Sequence, residues 1–302
     1  MRNAFIKRLL VQAEKDASIF LLVGDLGYSV VEPFAETFPD RFLNVGVAEQ
    51  NMTGMAAGLA REGYKVFTYS IANFNTLRCL EQIRNDICYH HLDVTVVSVG
   101  GGLSYGNLGY SHFAVQDIAI LSTLPSISLL LPGDPLETRW CVDYAISTNE
   151  PKYLRLGKAG EPMVHNEHAT YAPISAIEKQ ADAKIALIGI SNILPTAKAV
   201  YDRIIKKQIP VDLFSIPVVN ESFTKMVRES FSAYKQVFTI EEHVKINGLG
   251  SQIVNILNET QVVNIGLDKN FCKLVGSQSF LRKKAGLGVD DLTSTLLKII
   301  EQ

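Results

Sequence analysis

Three side chains in the first half of this 302-residue sequence have the types and spacing to do chemistry together: Glu49, Phe74 and His112. Glu49 opens the run EQNMTGMAAGLAR, whose apolar and small residues recur at helical spacing, so its carboxylate falls in the first turn of a helix. A helix N-terminus favours the ionised carboxylate, whereas a dry pocket favours the protonated one. An acid held between those two pulls can share a proton with a ring nitrogen of a ligand. Phe74 follows one strand later, and an aromatic wall beside an acid suits a flat, nitrogen-bearing ring. His112 ends a glycine-rich stretch that begins at Gly100, and histidine is the side chain that moves protons near neutral pH. Taken singly, each has a plainer reading: dipole compensation for Glu49, core filling for Phe74, surface packing for His112.

The elements that must position these residues alternate in type. Short apolar runs at 18–23, 42–45, 65–69, 94–99 and 126–131 read as strands. Helical patterns lie between them at 49–61, 75–89 and 135–147, with Pro135 suited to a first helical position. Such alternation predicts a parallel sheet with crossover helices. Periodicity lapses across 157–183, where glycine, proline and polar residues take over, and a domain boundary is expected there. A second series follows, with strands at 184–190, 211–216, 236–243 and 262–267, helices near 196–207 and from 249, and a closing amphipathic helix near 290–300. The expected fold is two consecutive three-layer α/β domains with mainly parallel sheets, at 1–165 and 180–302.

With 47% hydrophobic and 20% charged residues the chain can bury two cores, and a net charge of -2 exerts no general pull on nucleic acid or anionic membranes. No apolar run approaches the ~18 residues of a membrane span, so a soluble, cytoplasmic protein is expected. Cys79, Cys88, Cys141 and Cys272 are widely spaced and read as reduced core thiols, without the pairing of a zinc site or a disulfide framework. His165 and His168 stand in the boundary segment, and no metal site is expected on this chain.

The string GVAEQNM, then AAGLA, then F-x-x-x-R-x-x-EQIRND from Phe74 to Asp86, then GLSYG and Ser111-His112, resembles the pyrimidine-binding half of transketolases in order and spacing. EEHVKINGLGSQI, from Glu241 to Ile253, is similar to a segment of the transketolase C-terminal domain. The resemblance implies thiamine diphosphate as cofactor, with Glu49 hydrogen-bonded to N1′ of its aminopyrimidine, Phe74 stacked on that ring, and Ile71 and Leu77 lining the same pocket. It implies that His112 assists proton transfers at substrate oxygens, and that Arg2, Ser29 and Arg155 grip a sugar phosphate. The reaction implied moves a two-carbon ketol unit from a ketose, commonly a ketose phosphate, to an aldose. Glu241 and His243 receive no catalytic role and read as a strand end that caps the next helix.

A complete enzyme of this kind holds the cofactor's diphosphate and Mg²⁺ with a GDG motif and a downstream Asn. Here the GD pairs, Gly24-Asp25 and Gly133-Asp134, continue into Leu26 and Pro135. The resemblance therefore points to the second subunit of a split transketolase, whose partner subunit carries the diphosphate and Mg²⁺ in an α2β2 heterotetramer. Two departures bear on substrate: Gly100 and Leu108 stand where many transketolases have a substrate-contacting His and Asp, which points toward a modified sugar. Two other readings share the architecture, namely a β subunit of a 2-oxoacid dehydrogenase E1 and a non-catalytic scaffold or regulatory subunit.

Overall fold

The computed structural model describes residues 1–270 and 272–302. Its first half contributes strands β1 (Ile19–Val23), β2 (Phe42–Asn44), β3 (Lys65–Ile71), β4 (Val94–Val99), β5 (Ser128–Leu130) and β6 (Lys152–Leu156). The second half contributes β7 (Ser175–Glu178), β8 (Ile185–Ile190), β9 (Val211–Ser215), β10 (Val218–Val219), β11 (Gln236–Val244) and β12 (Gln261–Leu267). Two sheets result, in the orders β10-β5-β6-β4-β3-β1-β2 and β12-β11-β8-β9-β7. Each is parallel apart from one edge strand, β10 in the first and β7 in the second. This is the expected pair of α/β units, with one addition: β10 leaves the second half of the chain to pair with β5 of the first sheet.

β4 is buried along its whole length and reads as the unbroken apolar run VTVVSV, as a doubly covered parallel strand should. Its neighbour β6 is equally buried but reads KYLRL, and two charges hide it from the apolar pattern, so the sequence predicts no strand at 152–156. The structure accommodates both charges. Lys152 Nζ lies 2.5 Å from Asp93 Oδ1 and donates to the carbonyls of Ala145 and Thr148, so a buried ammonium keeps its partners. Arg155 is likewise paired, with Asp117.

The single helix expected at 75–89 is instead three pieces: Ala72–Thr76, Leu80–Gln82 and a π-helical turn at Ile83–Cys88. Asn75 explains the early start, since its Nδ2 donates to Val97 O and to Thr68 Oγ1 and pins the first turn to the sheet. π-turns of this kind are rare and recur beside functional sites. The helix Glu49–Arg61 buries Met52, Ala56 and Ala57 and leaves Gln50, Asn51, Gly54, Gly58 and Arg61 facing outward. A Cβ built at Gly54 or Gly58 would meet nothing within 4 Å, so this outward face is smooth and open. Cys79, Cys88 and Cys141 are free and buried. Among the described residues no helix is long and apolar enough to cross a membrane.

Candidate active site

Glu49 begins its helix directly after β2, and the turn between them bends at Gly46, whose φ of 73° suits glycine. The carboxylate is 2% exposed. Its Oε1 accepts from Ser70 Oγ at 3.1 Å and its Oε2 from Arg78 Nη1 at 2.7 Å. Arg78 has a second contact: its guanidinium carbon sits 4.5 Å from the centroid of the Phe74 ring. A flat cation thus lies on Phe74 while donating an N–H to Glu49. Residues 74 and 78 share a helical face by spacing, which the F-x-x-x-R string already carried.

Phe74 and His112 meet edge to face, with ring centroids 5.0 Å apart. Asn73 Nδ2 donates to Ser111 O at 2.8 Å, tying the histidine loop to the helix that bears Phe74. His112 Nδ1 is 3.0 Å from Ser111 Oγ, and burial lowers its pKa, favouring a neutral imidazole able to accept a proton. Ile71, half-buried at the end of β3, and Leu77, 39% exposed, flank Phe74 three residues to either side. Glu49, Phe74 and His112, distant in sequence, therefore form one continuous wall through Arg78.

The three phosphate candidates do not gather there. Arg2 is half-buried beside the hydroxyls of Tyr69 and Tyr105; burial raises both phenols while Arg2 pulls them down. Ser29 is exposed in a left-handed turn, its N–H donating to Glu32 Oε1. Arg155 is 1% exposed and already saturated. Its Nε donates to Asp117 Oδ2 at 2.7 Å, Nη1 to Ser191 Oγ and Asn192 Oδ1, and Nη2 to the carbonyls of Ala114 and Glu242. Burial, the largest influence, raises the Asp117 carboxyl, but the charges of Arg155 and His243 and the hydrogen bonds from Tyr153 and Arg155 together outweigh it and leave the acid's pKa below its ordinary value. Arg155 is thus a structural cation between the two halves of the chain, its Nε, Nη1 and Nη2 all engaged by protein groups.

An open groove of about 620 Å³ runs beside the histidine loop, lined by Tyr105, Leu108, Lys158 and Ser277 among others. Lys158, three residues beyond Arg155, is exposed, with Nζ 5.9 Å from the Tyr105 ring centroid. Its place in the glycine-rich boundary segment gave no sign of this. The groove also explains Gly100: its φ is 91°, and a Cβ there would fall 2.2 Å from Tyr105 Cδ2. Tyr105 fills the room that a larger residue at 100 would take, so the two positions are coupled. Leu108, 55% exposed, gives the groove an apolar rim where an Asp would have given an acceptor.

Elsewhere, Glu241 accepts from the N–H groups of Leu249 and Gly250, the helix cap expected of it. No group of metal-binding side chains occurs among the described residues.

Family models for the transketolase pyrimidine-binding domain and the transketolase C-terminal domain match residues 1–160 and 175–278. The chain is 28% identical to a subunit of the apulose-4-phosphate transketolase of Actinobacillus succinogenes, over 99% of this chain and 98% of that one. It is 31% identical to the subunit of the same name from Phocaeicola vulgatus, over 86% of this chain and 84% of that one. Among solved structures, a split-gene transketolase in an inactive β4 tetramer superposes with a TM-score of 0.86 at 29% identity, covering 98% of this chain and 97% of that one.

Proposed function

Because this chain belongs to the transketolase family, we propose that it is the pyrimidine-side subunit of a split transketolase, with domains at 1–165 and 180–302. It transfers a two-carbon ketol unit between sugars only when joined to a partner subunit in the cytoplasm. One observation carries this reading: a buried carboxylate and an aromatic face already hold a flat, N–H-bearing cation, the Arg78 guanidinium. The same pair of groups fits a protonated aminopyrimidine edge on and face on, so the donor set suits thiamine diphosphate.

That cofactor, when bound, supplies the electron sink for breaking the ketose carbon–carbon bond. Glu49, nearly sealed from water, would share a proton with N1′ of the cofactor's pyrimidine, holding and releasing it there. Phe74 stacks on the ring, a contact worth ~0.5–1.5 kcal/mol beyond buried area, with Ile71 and Leu77 beside it. Arg78, which lies on this face now, would give up its place to the ring. His112, neutral and at the edge of Phe74, accepts and returns protons at the substrate oxygens. The chain has no GDG motif, so the partner subunit is assigned the diphosphate and Mg²⁺, in an α2β2 heterotetramer. Glu49, Phe74 and His112 are all present and mutually arranged, which favours a catalytic subunit over a scaffold.

Relatives act on a sugar phosphate by name, and the groove beside His112 offers Lys158 as an exposed cation for such a group, with Arg2 and Ser29 as further contacts. Lys158→Ala is expected to raise KM for a phosphorylated substrate roughly tenfold or more relative to its unphosphorylated analogue, the scale of one lost charge-assisted hydrogen bond. Steady-state kinetics on matched pairs checks this; equal changes on both would remove Lys158 from phosphate recognition. The parent proposal is tested by mixing the purified chain with a GDG-bearing subunit, thiamine diphosphate and Mg²⁺ and assaying ketol transfer.

A further inference from the structure

Between Gly100 and Gln116 the chain that delivers His112 has little structure of its own: two 3₁₀ turns, at Gly106–Leu108 and Tyr110–His112, and a bridge between Gly102 and Ala114. A segment this irregular holds a catalytic imidazole in place only if its backbone is gripped from outside. The grip comes largely from the C-terminal half. Asn192 Nδ2 donates to Gly101 O at 3.0 Å, Val244 N to Val115 O at 2.9 Å, and Gly276 N to Gly106 O at 3.2 Å. Beneath the loop, Leu103, Phe113 and Val115 pack against Val244 and Leu281 in one apolar cluster.

At the root of the loop stands one acid. Glu242 is 1% exposed, and its Oε1 accepts from the peptide N–H of Leu103 at 3.1 Å. Its other oxygen accepts from Arg282 Nη2 at 2.6 Å, and Gln278 Nε2 reaches both oxygens. The loop lies directly on this side chain, for a Cβ at Gly102, whose φ is 67°, would come within 2.7 Å of Glu242 Cγ. The neighbouring Glu241 is occupied in capping a helix and His243 lies in the core, so neither shares this task.

We propose that Glu242 is a positioning residue: held by Arg282 and Gln278 of the C-terminal domain, it fixes the Leu103 peptide and so sets where His112 stands. The C-terminal domain is then part of the catalytic apparatus, through geometry and without touching cofactor or substrate. This rests on the role proposed above for His112.

The test compares Glu242→Ala with Glu242→Gln, which keeps an acceptor for the Leu103 N–H. In the free chain, hydrogen–deuterium exchange of peptides spanning 103–113 is expected to accelerate on the order of tenfold or more in the Ala variant, with the helix 49–61 unchanged and the Gln variant intermediate, since its one oxygen keeps the Leu103 N–H only by turning its NH2 toward Arg282. In the reconstituted complex the Ala variant is expected to lose on the order of 10- to 10²-fold in ketol-transfer kcat/KM, while exchange of the cofactor C2 proton, which depends on Glu49, holds. In a His112→Ala background the same change should cost almost nothing further, because the two act as one unit. Unchanged protection of 103–113 in Glu242→Ala would overturn the proposal, as would parallel loss of C2 exchange and transfer, or full additivity with His112→Ala. Absence of turnover in the unmutated complex is a separate outcome and would count against the split-transketolase reading alone.

Discussion

Glu49→Gln, in the reconstituted complex, lowers both cofactor C2–H exchange and kcat by at least ~10²-fold, the scale of a lost general acid–base group, while the chain folds as before. The size of the effect follows from what the substitution leaves alone. Gln keeps the length of the side chain, and its amide oxygen can still accept from Arg78 Nη1 while its NH2 donates to Ser70 Oγ, so both present neighbours of Glu49 stay partnered. The ability to hold and release a proton at a ring nitrogen is what disappears. Folding stability reports little, because the helix Glu49–Arg61 is anchored by Met52, Ala56 and Ala57 behind the acid. Exchange of the C2 proton, followed by NMR under quenched-flow conditions, isolates this step from substrate binding. Exchange near the parent rate in the Gln variant would take Glu49 out of the mechanism.

Arg155→Ala should destabilise the folded chain by about 3–5 kcal/mol, the usual result of stripping one partner from a buried ion pair. Asp117, 2% exposed, would keep only the Tyr153 hydroxyl for its Oδ2, and the carbonyls of Ala114 and Glu242 would lose their shared donor. Those partners belong to both halves of the chain, so the loss loosens the junction between them and not one strand. Denaturant unfolding measures it directly. A stability change under ~1 kcal/mol together with a rise in KM confined to phosphorylated substrates would mean that Arg155 meets the substrate after all.

The contrast between Glu49 and Arg155 shows what this sequence makes legible. Glu49 at the head of a small-residue helix reads by itself as dipole compensation, and it became a candidate acid through the motif string around it. Phe74 and His112 became legible together with it through ordered motifs, and Arg78 was within reach by helical spacing. Arg155 was not, because its meaning is set by Asp117, Ser191 and Asn192, and no pattern in the chain says that these meet. The same two charges that misdirect the reading of 152–156 also conceal a central strand, since alternation and apolar runs both assume that charges face water. β10 escaped notice for a different reason: two residues that cross from one half to pair with the other leave no periodicity at all. Lys158 lay in a segment whose composition marks only the absence of regular structure, although that is where binding side chains often stand.

The central claim is that this chain supplies half of an active site. Its direct measurement is ketol transfer by the purified 302-residue chain with thiamine diphosphate and Mg²⁺, before and after addition of a separately purified GDG-bearing subunit. The account predicts no turnover by the chain alone and its appearance on mixing, saturating as the two reach equal amounts. Sustained cofactor-dependent ketol transfer by the isolated chain would contradict it.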